Sequence, residues 1–170
     1  MLRTAFEPSA SPNAPRKRRA VVGRSNIGKG VFAGRALQRG EVVGRVRGTL
    51  VDDAQVDPYY CMEMDNGLFL VPKAPFRYLN HRCVPNCRLF MWEDEPIDPQ
   101  TNTRALYVEA LRSIRVGSEL TIDYGWPAYL AIPCHCSSRR CRGYVVDPSQ
   151  LGLVRKQARA KSRAAQLASR

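Results

Sequence analysis

Cys134, Cys136 and Cys141 form a C-x-C-x4-C array, with Pro133 before it and Arg142-Gly143 after it. Thiolates so close in sequence can converge on one metal ion, and zinc in a structural site takes four ligands in a closed tetrahedron. A fourth donor must then come from elsewhere. His135 lies between two ligands already, and three consecutive donors would be strained; Cys83 or Cys87, in the loop Asn80-His-Arg-Cys-Val-Pro-Asn-Cys87, is the better source. Arg139, Arg140 and Arg142 would offset the double negative charge of zinc held by four thiolates. Core cysteines without a ligand sit badly in so polar a segment. The six cysteines, at 61, 83, 87, 134, 136 and 141, are even in number and so allow disulfides, but MLRTAFEPSA lacks the apolar stretch of a secretory signal. That points to an intracellular, reducing compartment and to metal.

Three further places carry chemistry. Asn80-His81, with Cys83, Pro85 and Asn86, packs hydrogen-bonding side chains, a rigid turn residue and a thiol into seven positions. An Asn-His pair alone is commonly a satisfied turn; the adjoining thiol shifts the balance. Asp123-Tyr124-Gly125 closes the alternating run ELTIDY, so Tyr124 falls where a strand gives way to a turn. Gly28-Lys29-Gly30 precedes the apolar VFA, but it lacks the third glycine and βαβ setting of a dinucleotide site, and the lysine pattern of a P-loop.

The elements that must position these residues are short. VFAGRAL, EVVGRVRGTLV, YYCMEM, LFLVP, CRLFMWE, ALYVEAL and ELTIDYG are β-type runs separated by Gly, Pro, Asn and Asp. Helical periodicity is weak through the middle, and no solenoid repeat is present. A compact, mainly β domain over about 20–146 follows. Of the 170 residues, 44% are hydrophobic, which is enough for a folded core, and no apolar run approaches the length of a membrane span.

Lys and Arg total 27 against 15 Asp and Glu, a formal net charge of +12 that invites a nucleic-acid partner. The surplus lies in the ends: +4 in residues 1–20, +5 in 147–170 and only +3 between them. SASPNAPRKRRA has the composition of a mobile basic arm, whereas residues 147–170 are rich in helix formers with few apolar anchors. Acidic runs at Asp52-Asp53 to Asp57 and at Glu93-Asp94-Glu95 to Asp98 could receive a basic peptide, although such runs are more often solvated loops.

In this order, RSNIGKGVFA, RYLNHRCVPN, ALRSIRVGSELTIDYG and CHCSSRRCRG resemble the SET-domain protein lysine methyltransferases with a post-SET zinc segment, over about residues 20–146. The resemblance implies a mainly β SET fold of small curved sheets with a knot-like C-terminal threading. It divides the chain into a basic arm (1–19), a SET domain (20–127), a post-SET zinc segment (128–146) and a basic tail that could be helical (147–170). It implies S-adenosylmethionine and Zn2+ as cofactors. Lys29, Gly30, Arg77, Tyr78, Asn80 and His81 would bind the methyl donor, and Cys83 would join Cys134, Cys136 and Cys141 on zinc, leaving Cys87 free.

The activity so implied is methylation of lysine in a histone or other basic protein. A lysine ammonium has no lone pair, and from a reference pKa near 10.4 its deprotonation at neutral pH costs roughly 5 kcal/mol. Desolvation beside a sulfonium pushes it that way. Tyr124 would orient the amine, with Tyr60 as a second channel tyrosine and Tyr59 as the competing register; positioning is then the main catalytic effect. Ile122 stands where Phe or Tyr is common in the family and leaves room for di- or trimethylation. Arg82 replaces a frequent Ser, and Ser118 a frequent Glu. Trp126 and Tyr144 could cover the site or pack in the core. The alternative is an inactive, zinc-stabilised module that binds nucleic acid or chromatin through its basic ends. No membrane contact is expected, a monomer is the default, and the compartment would be cytoplasmic in a prokaryote and nuclear or chromosomal in a eukaryote.

Overall fold

The computed structural model describes residues 18–52 and 57–168. The basic arm therefore falls outside the described residues apart from Arg18 and Arg19, as does part of the acidic run beginning at Asp52. The described residues form twelve short strands, three single-turn 3-10 helices and one α-helix, and the core is mainly β.

β1 (Ala20–Ser25) and β2 (Gly28–Ala33) form a hairpin in which Ser25 pairs with Gly28 across a two-residue loop. The positive φ at this turn falls on Gly28, at +116°, the residue that closes the loop, and not on Asn26 or Ile27 within it. On its other side β2 pairs antiparallel with β10 (Glu119–Ile122), and β10 pairs in parallel with β7 (Asn80–His81), so that Thr121 faces Asn80 and Ile122 faces His81. This four-stranded sheet, ordered β1-β2-β10-β7, brings the glycine pair at the start of β2, the Asn-His pair and the Asp-Tyr-Gly turn after β10 to one end.

β10 is buried at Leu120, Thr121 and Ile122, as suits a strand flanked on both sides in the sheet. Asn86 is 7% exposed and staples it: the side chain donates to Glu119 O at 2.8 Å and accepts from Thr121 N at 2.8 Å. A buried amide is thereby satisfied on both ends.

β3 (Val42–Arg45), β9 (Tyr107–Ala110) and β8 (Cys87–Phe90) form a second sheet, and β4 (Gly48–Val51), β6 (Phe69–Pro72) and β5 (Met62–Glu63) a third. Val31, Leu37, Val43, Leu70, Val108 and Leu120 meet in the shared core. Cys87 is fully buried there opposite Ala110, and burial pushes its thiol up to about 12. It is a core residue.

After β10 the chain makes a small hairpin of β11 (Ile132–Pro133) with β12 (Tyr144–Val145), and then the helix α1 (Leu151–Ala168). Tyr144 is part of that hairpin, opposite Pro133. Asp147 accepts from Ser149 N at 2.7 Å in the turn that leads into α1. Among the described residues no helix is long and apolar enough to cross a membrane.

Candidate active site and metal cluster

A cleft of about 1170 Å³ opens beside the end of β10. Lys29, Tyr60, Arg77, Tyr78, Asn80, Ile122 and Tyr124 line it, together with Tyr59 and Trp126. Gly30 and His81 do not.

Gly30 acts from behind. A Cβ there would lie 2.6 Å from Glu119 Oε1 and 3.3 Å from Asn80 Nδ2, so the missing side chain makes room for an amide cradle. In it Asn80 Nδ2 lies 2.7 Å from Glu119 Oε1, 3.1 Å from Lys29 O and 3.2 Å from Ser25 Oγ, which fixes β7 against the β1–β2 hairpin. Sequence alone does not mark Glu119, which belongs to a polar turn until β10 is laid between β2 and β7.

Tyr124 sits half-buried, its hydroxyl donating to Leu79 O at 2.7 Å. Burial pushes its phenol up to about 12, with Tyr60 and Glu119 adding to the shift, so it is neutral at physiological pH. Trp126 lies between two tyrosines, 4.9 Å from the Tyr124 ring and 5.1 Å, edge on, from the Tyr59 ring. Arg77 caps the Tyr60 ring at 5.3 Å and Lys29 the Tyr78 ring at 5.0 Å. The result is an aromatic wall with one cation over the Tyr60 ring and another over the Tyr78 ring. Such a wall suits an apolar, desolvating channel that still attracts a cation to ring faces.

The His81 side chain, only 6% exposed, is turned away from the cleft toward the cysteines. Its Nδ1 accepts the Tyr124 N–H at 3.3 Å, so the proton is assigned to Nε2, which lies 3.3 Å from Cys83 Sγ. Burial lowers its pKa, which keeps the ring neutral.

Cys83 Sγ lies 3.7 Å from Cys134 Sγ and 4.0 Å from Cys141 Sγ, and the Cys83 N–H donates to Cys136 Sγ at 3.4 Å. Sulfurs held 2.3 Å from a tetrahedral zinc would stand about 3.8 Å apart, whereas a disulfide needs about 2 Å. Backbone donors point at the same sulfurs: Arg142 N–H to Cys83 Sγ and Gly143 N–H to Cys141 Sγ, each at 3.4 Å. Although desolvation opposes it, bonds from the Cys83 N–H and from Ser138 bring the Cys136 thiol down to about 6. A His81 nitrogen and the sulfurs of Cys83, Cys134 and Cys136 also lie within 4.8 Å of one another. With its Nε2 protonated, however, His81 serves the cluster better as a donor to thiolate than as a ligand.

Two arginines lock this cluster to the sheet. Arg82 Nε donates to Ser138 Oγ at 3.1 Å. Arg142 forks onto Asp123, Nη1 to Oδ2 and Nη2 to Oδ1, both at 2.7 Å. Asp123 lies between Ile122 and Tyr124 in sequence, so a residue of the cysteine segment grips the strand end that carries the tyrosine. From sequence Arg142 counts only as one of three cations near the thiols; its pairing depends on how 134–143 folds back, which no local spacing reveals.

The sequence profile of the SET domain matches residues 28–125. The chain belongs to the SET-domain family. Relatives of this SET protein include the histone-lysine N-methyltransferase ash1 of Drosophila melanogaster, 27% identical over 125 residues (70% of this chain and 5% of that protein). The human histone-lysine N-methyltransferase 2B is 31% identical over 139 residues (69% and 5%), and ASHR3 of Arabidopsis thaliana 28% over 159 residues (81% and 30%). This SET protein thus spans from about 5% to 30% of the length of these relatives. Among solved structures it is similar to KRYPTONITE in complex with mCHG DNA and SAH, with a TM-score of 0.62 and 25% identity over 73% of this chain and 28% of that one. A second KRYPTONITE complex, with mCHH DNA, an H3(1-15) peptide and SAH, has a TM-score of 0.61 at 23% identity, over 73% and 29% of the two chains, and supports the SET fold.

Proposed function

We propose that this SET protein is a protein-lysine N-methyltransferase that takes its methyl group from S-adenosylmethionine. The observation that carries the reading is Tyr124, a neutral phenol held in an aromatic cleft beside Ile122 and Asn80. S-adenosylmethionine supplies an electrophilic methyl on a sulfonium, and KRYPTONITE carries the related SAH.

Lys29, Arg77, Tyr78 and Asn80 form the side of the cleft that would hold the donor, with Gly30 and His81 shaping it from behind. The two cations suit its carboxylate. Tyr59, Tyr60, Tyr124 and Trp126 form the apolar side, where water is excluded and the lysine loses its proton more easily. Tyr124 orients the amine for in-line attack; the reaction needs no covalent bond to the protein. Ile122 leaves space for a methylated amine, which favours di- or trimethyl product.

Cys83, Cys134, Cys136 and Cys141 would hold zinc as a structural ion, with the Arg142 and Gly143 N–H groups supporting the thiolates. The substrate is a basic protein such as a histone, in keeping with the names of the relatives. In a eukaryote that places the protein at chromatin.

Incubation with labelled S-adenosylmethionine and a panel of basic proteins, followed by mass spectrometry of the labelled residue, tests this. Lysine-borne label that disappears in Tyr124→Phe while calorimetry still detects donor binding is the expected result. Failure of the wild-type chain to bind the donor would overturn the proposal and leave a non-catalytic SET module.

A further inference from the structure

We propose that α1 is a docking arm for duplex DNA, through the face that carries Lys156, Arg159 and Arg163. This is independent of the methylation reading.

The helix spans 18 residues, about 27 Å. Only its first half is anchored: Val154 is 6% exposed, Leu151 and Ala158 are half-buried, and residues 159–167 are all exposed. The base is fixed to the cleft wall, because Gln150 Oε1 accepts the Ala128 N–H at 2.7 Å. The helix therefore projects at a set angle.

Arg155, Lys156, Arg159, Lys161 and Arg163 are its charges, and no acid follows Asp147. None of the five makes an ion pair among the described residues. A helix that is merely solvated gains from Glu–Lys pairs at i,i+4; here Arg155, Arg159 and Arg163 repeat like charge at that spacing, which destabilises by about 0.2–0.5 kcal/mol per pair. A polyanion relieves that repulsion. At about 100° per residue, Arg155, Lys156, Arg159 and Arg163 fall within an arc of about 100°, away from the Leu151–Val154–Ala158 stripe.

The chemistry of the face selects among polyanions. Beyond residue 158 Leu167 is the only large apolar residue, too little to seat the helix in a lipid surface. A helix about 10–12 Å across fits the roughly 12 Å major groove of B-DNA, whereas the A-form RNA groove is too narrow to admit it. Successive cations at i,i+4 rise about 6 Å along the axis and can follow a phosphate row.

Binding of the full chain to a labelled 20-base-pair duplex, read by fluorescence anisotropy from 50 to 200 mM salt, tests the proposal. Each phosphate contact contributes a slope of about 0.9 in log K against log salt. The triple variant K156Q/R159Q/R163Q is expected to lower the slope by about 2.7, so that its defect shrinks about 40-fold across that salt range. The charge-preserving K156R/R159K/R163K should retain the wild-type slope, and circular dichroism of both reports helix content. An unchanged slope in a helical K156Q/R159Q/R163Q overturns the proposal. Equal binding of an RNA duplex, or displacement of DNA by polyglutamate at matched charge, overturns the choice of DNA. Methylation of a short lysine peptide by the same preparations, expected to be unchanged, separates this outcome from failure of the methylation reading.

Discussion

Replacing Asp123 by Asn should loosen both the cysteine cluster and the strand end that carries Tyr124. Asp123 receives both Arg142 Nη groups at 2.7 Å, and the two side chains are 13% (Arg142) and 27% (Asp123) exposed. A fully buried pair broken on one side costs about 3–5 kcal/mol, and an exposed one about 0–1. This pair lies between those limits but nearer the buried one. Arg142 Nε is already buried without a hydrogen-bond partner among the described residues, so beyond the neighbouring thiols Cys83 and Cys134 the charge has no second carboxylate to turn to. Asn keeps the shape and one acceptor, which leaves an expected loss of about 2–3 kcal/mol, or a Tm fall of roughly 4–12 °C for a chain of this size. Because the Arg142 N–H also reaches Cys83 Sγ, zinc affinity measured by chelator competition should fall about 10- to 100-fold. Asp123→Asn, Arg142→Gln and the double variant complete a cycle in which the two single losses should not add. A Tm for Asp123→Asn within about 1 °C of wild type, with unchanged chelator competition, would refute the claim that this pair couples metal site and cleft.

Other outcomes follow from the same geometry. Ile122→Phe should shift the product spectrum toward monomethyl-lysine on a single peptide, read by mass spectrometry; trimethyl-lysine formed as readily as by wild type would remove Ile122 from the size argument. The Tyr124 phenol, raised to about 12, should stay protonated while ordinary tyrosines ionise near 10. The unfolded chain then loses this proton first, so stability declines as pH rises from about 10 toward 12, and the ultraviolet titration of Tyr124→Phe should lack the latest-ionising component. Asn86→Ala should cost about 2–3 kcal/mol in urea unfolding, because Thr121 N and Glu119 O would both lose a buried partner. Chelation should lower Tm and donor affinity together, and zinc, not magnesium, should restore both.

The short β runs, the strand end at Tyr124 and the close spacing of Cys134, Cys136 and Cys141 are legible in local patterns of alternation, turn signals and thiol spacing. Lys29, Asn80 and Ile122, and Cys83 rather than Cys87 as the fourth thiol, come from the family resemblance, and the structure puts the first three on the cleft and Cys83 beside Cys134 and Cys141. What was not legible depends on chain segments far apart. Glu119 matters because Gly30 leaves it room and Asn80 reaches it from 39 residues away. Asn86 looked like part of a loop motif and is instead the staple of β10. His81, which the resemblance places among the residues that hold the methyl donor, has its ring against Cys83 Sγ and accepts the Tyr124 N–H at Nδ1, contacts that no local spacing reveals. Arg142 and Asp123 are 19 residues apart and become partners only when the cysteine segment folds back. Sequence patterns report which face of a strand is buried; they do not report which distant side chain lies across it.

The parallel pairing of β7 with β10 has a kinetic consequence. Thr121 meets Asn80 and Ile122 meets His81 across 41 residues, and β10 also meets β2 from 88 or so residues earlier. The β1–β2 hairpin closes over a two-residue loop and can form early, but β10 must wait until both neighbours are brought together, since long loops lose entropy before any contact repays it. The strand that carries Ile122 and leads into Tyr124 is thus among the last to be seated. The cleft lining runs from Ile27 to Ile132 and the four thiols from Cys83 to Cys141, so a molecule still missing its C-terminal part presents neither a whole lysine channel nor a complete set of thiols. Competence arrives with the final long-range closure.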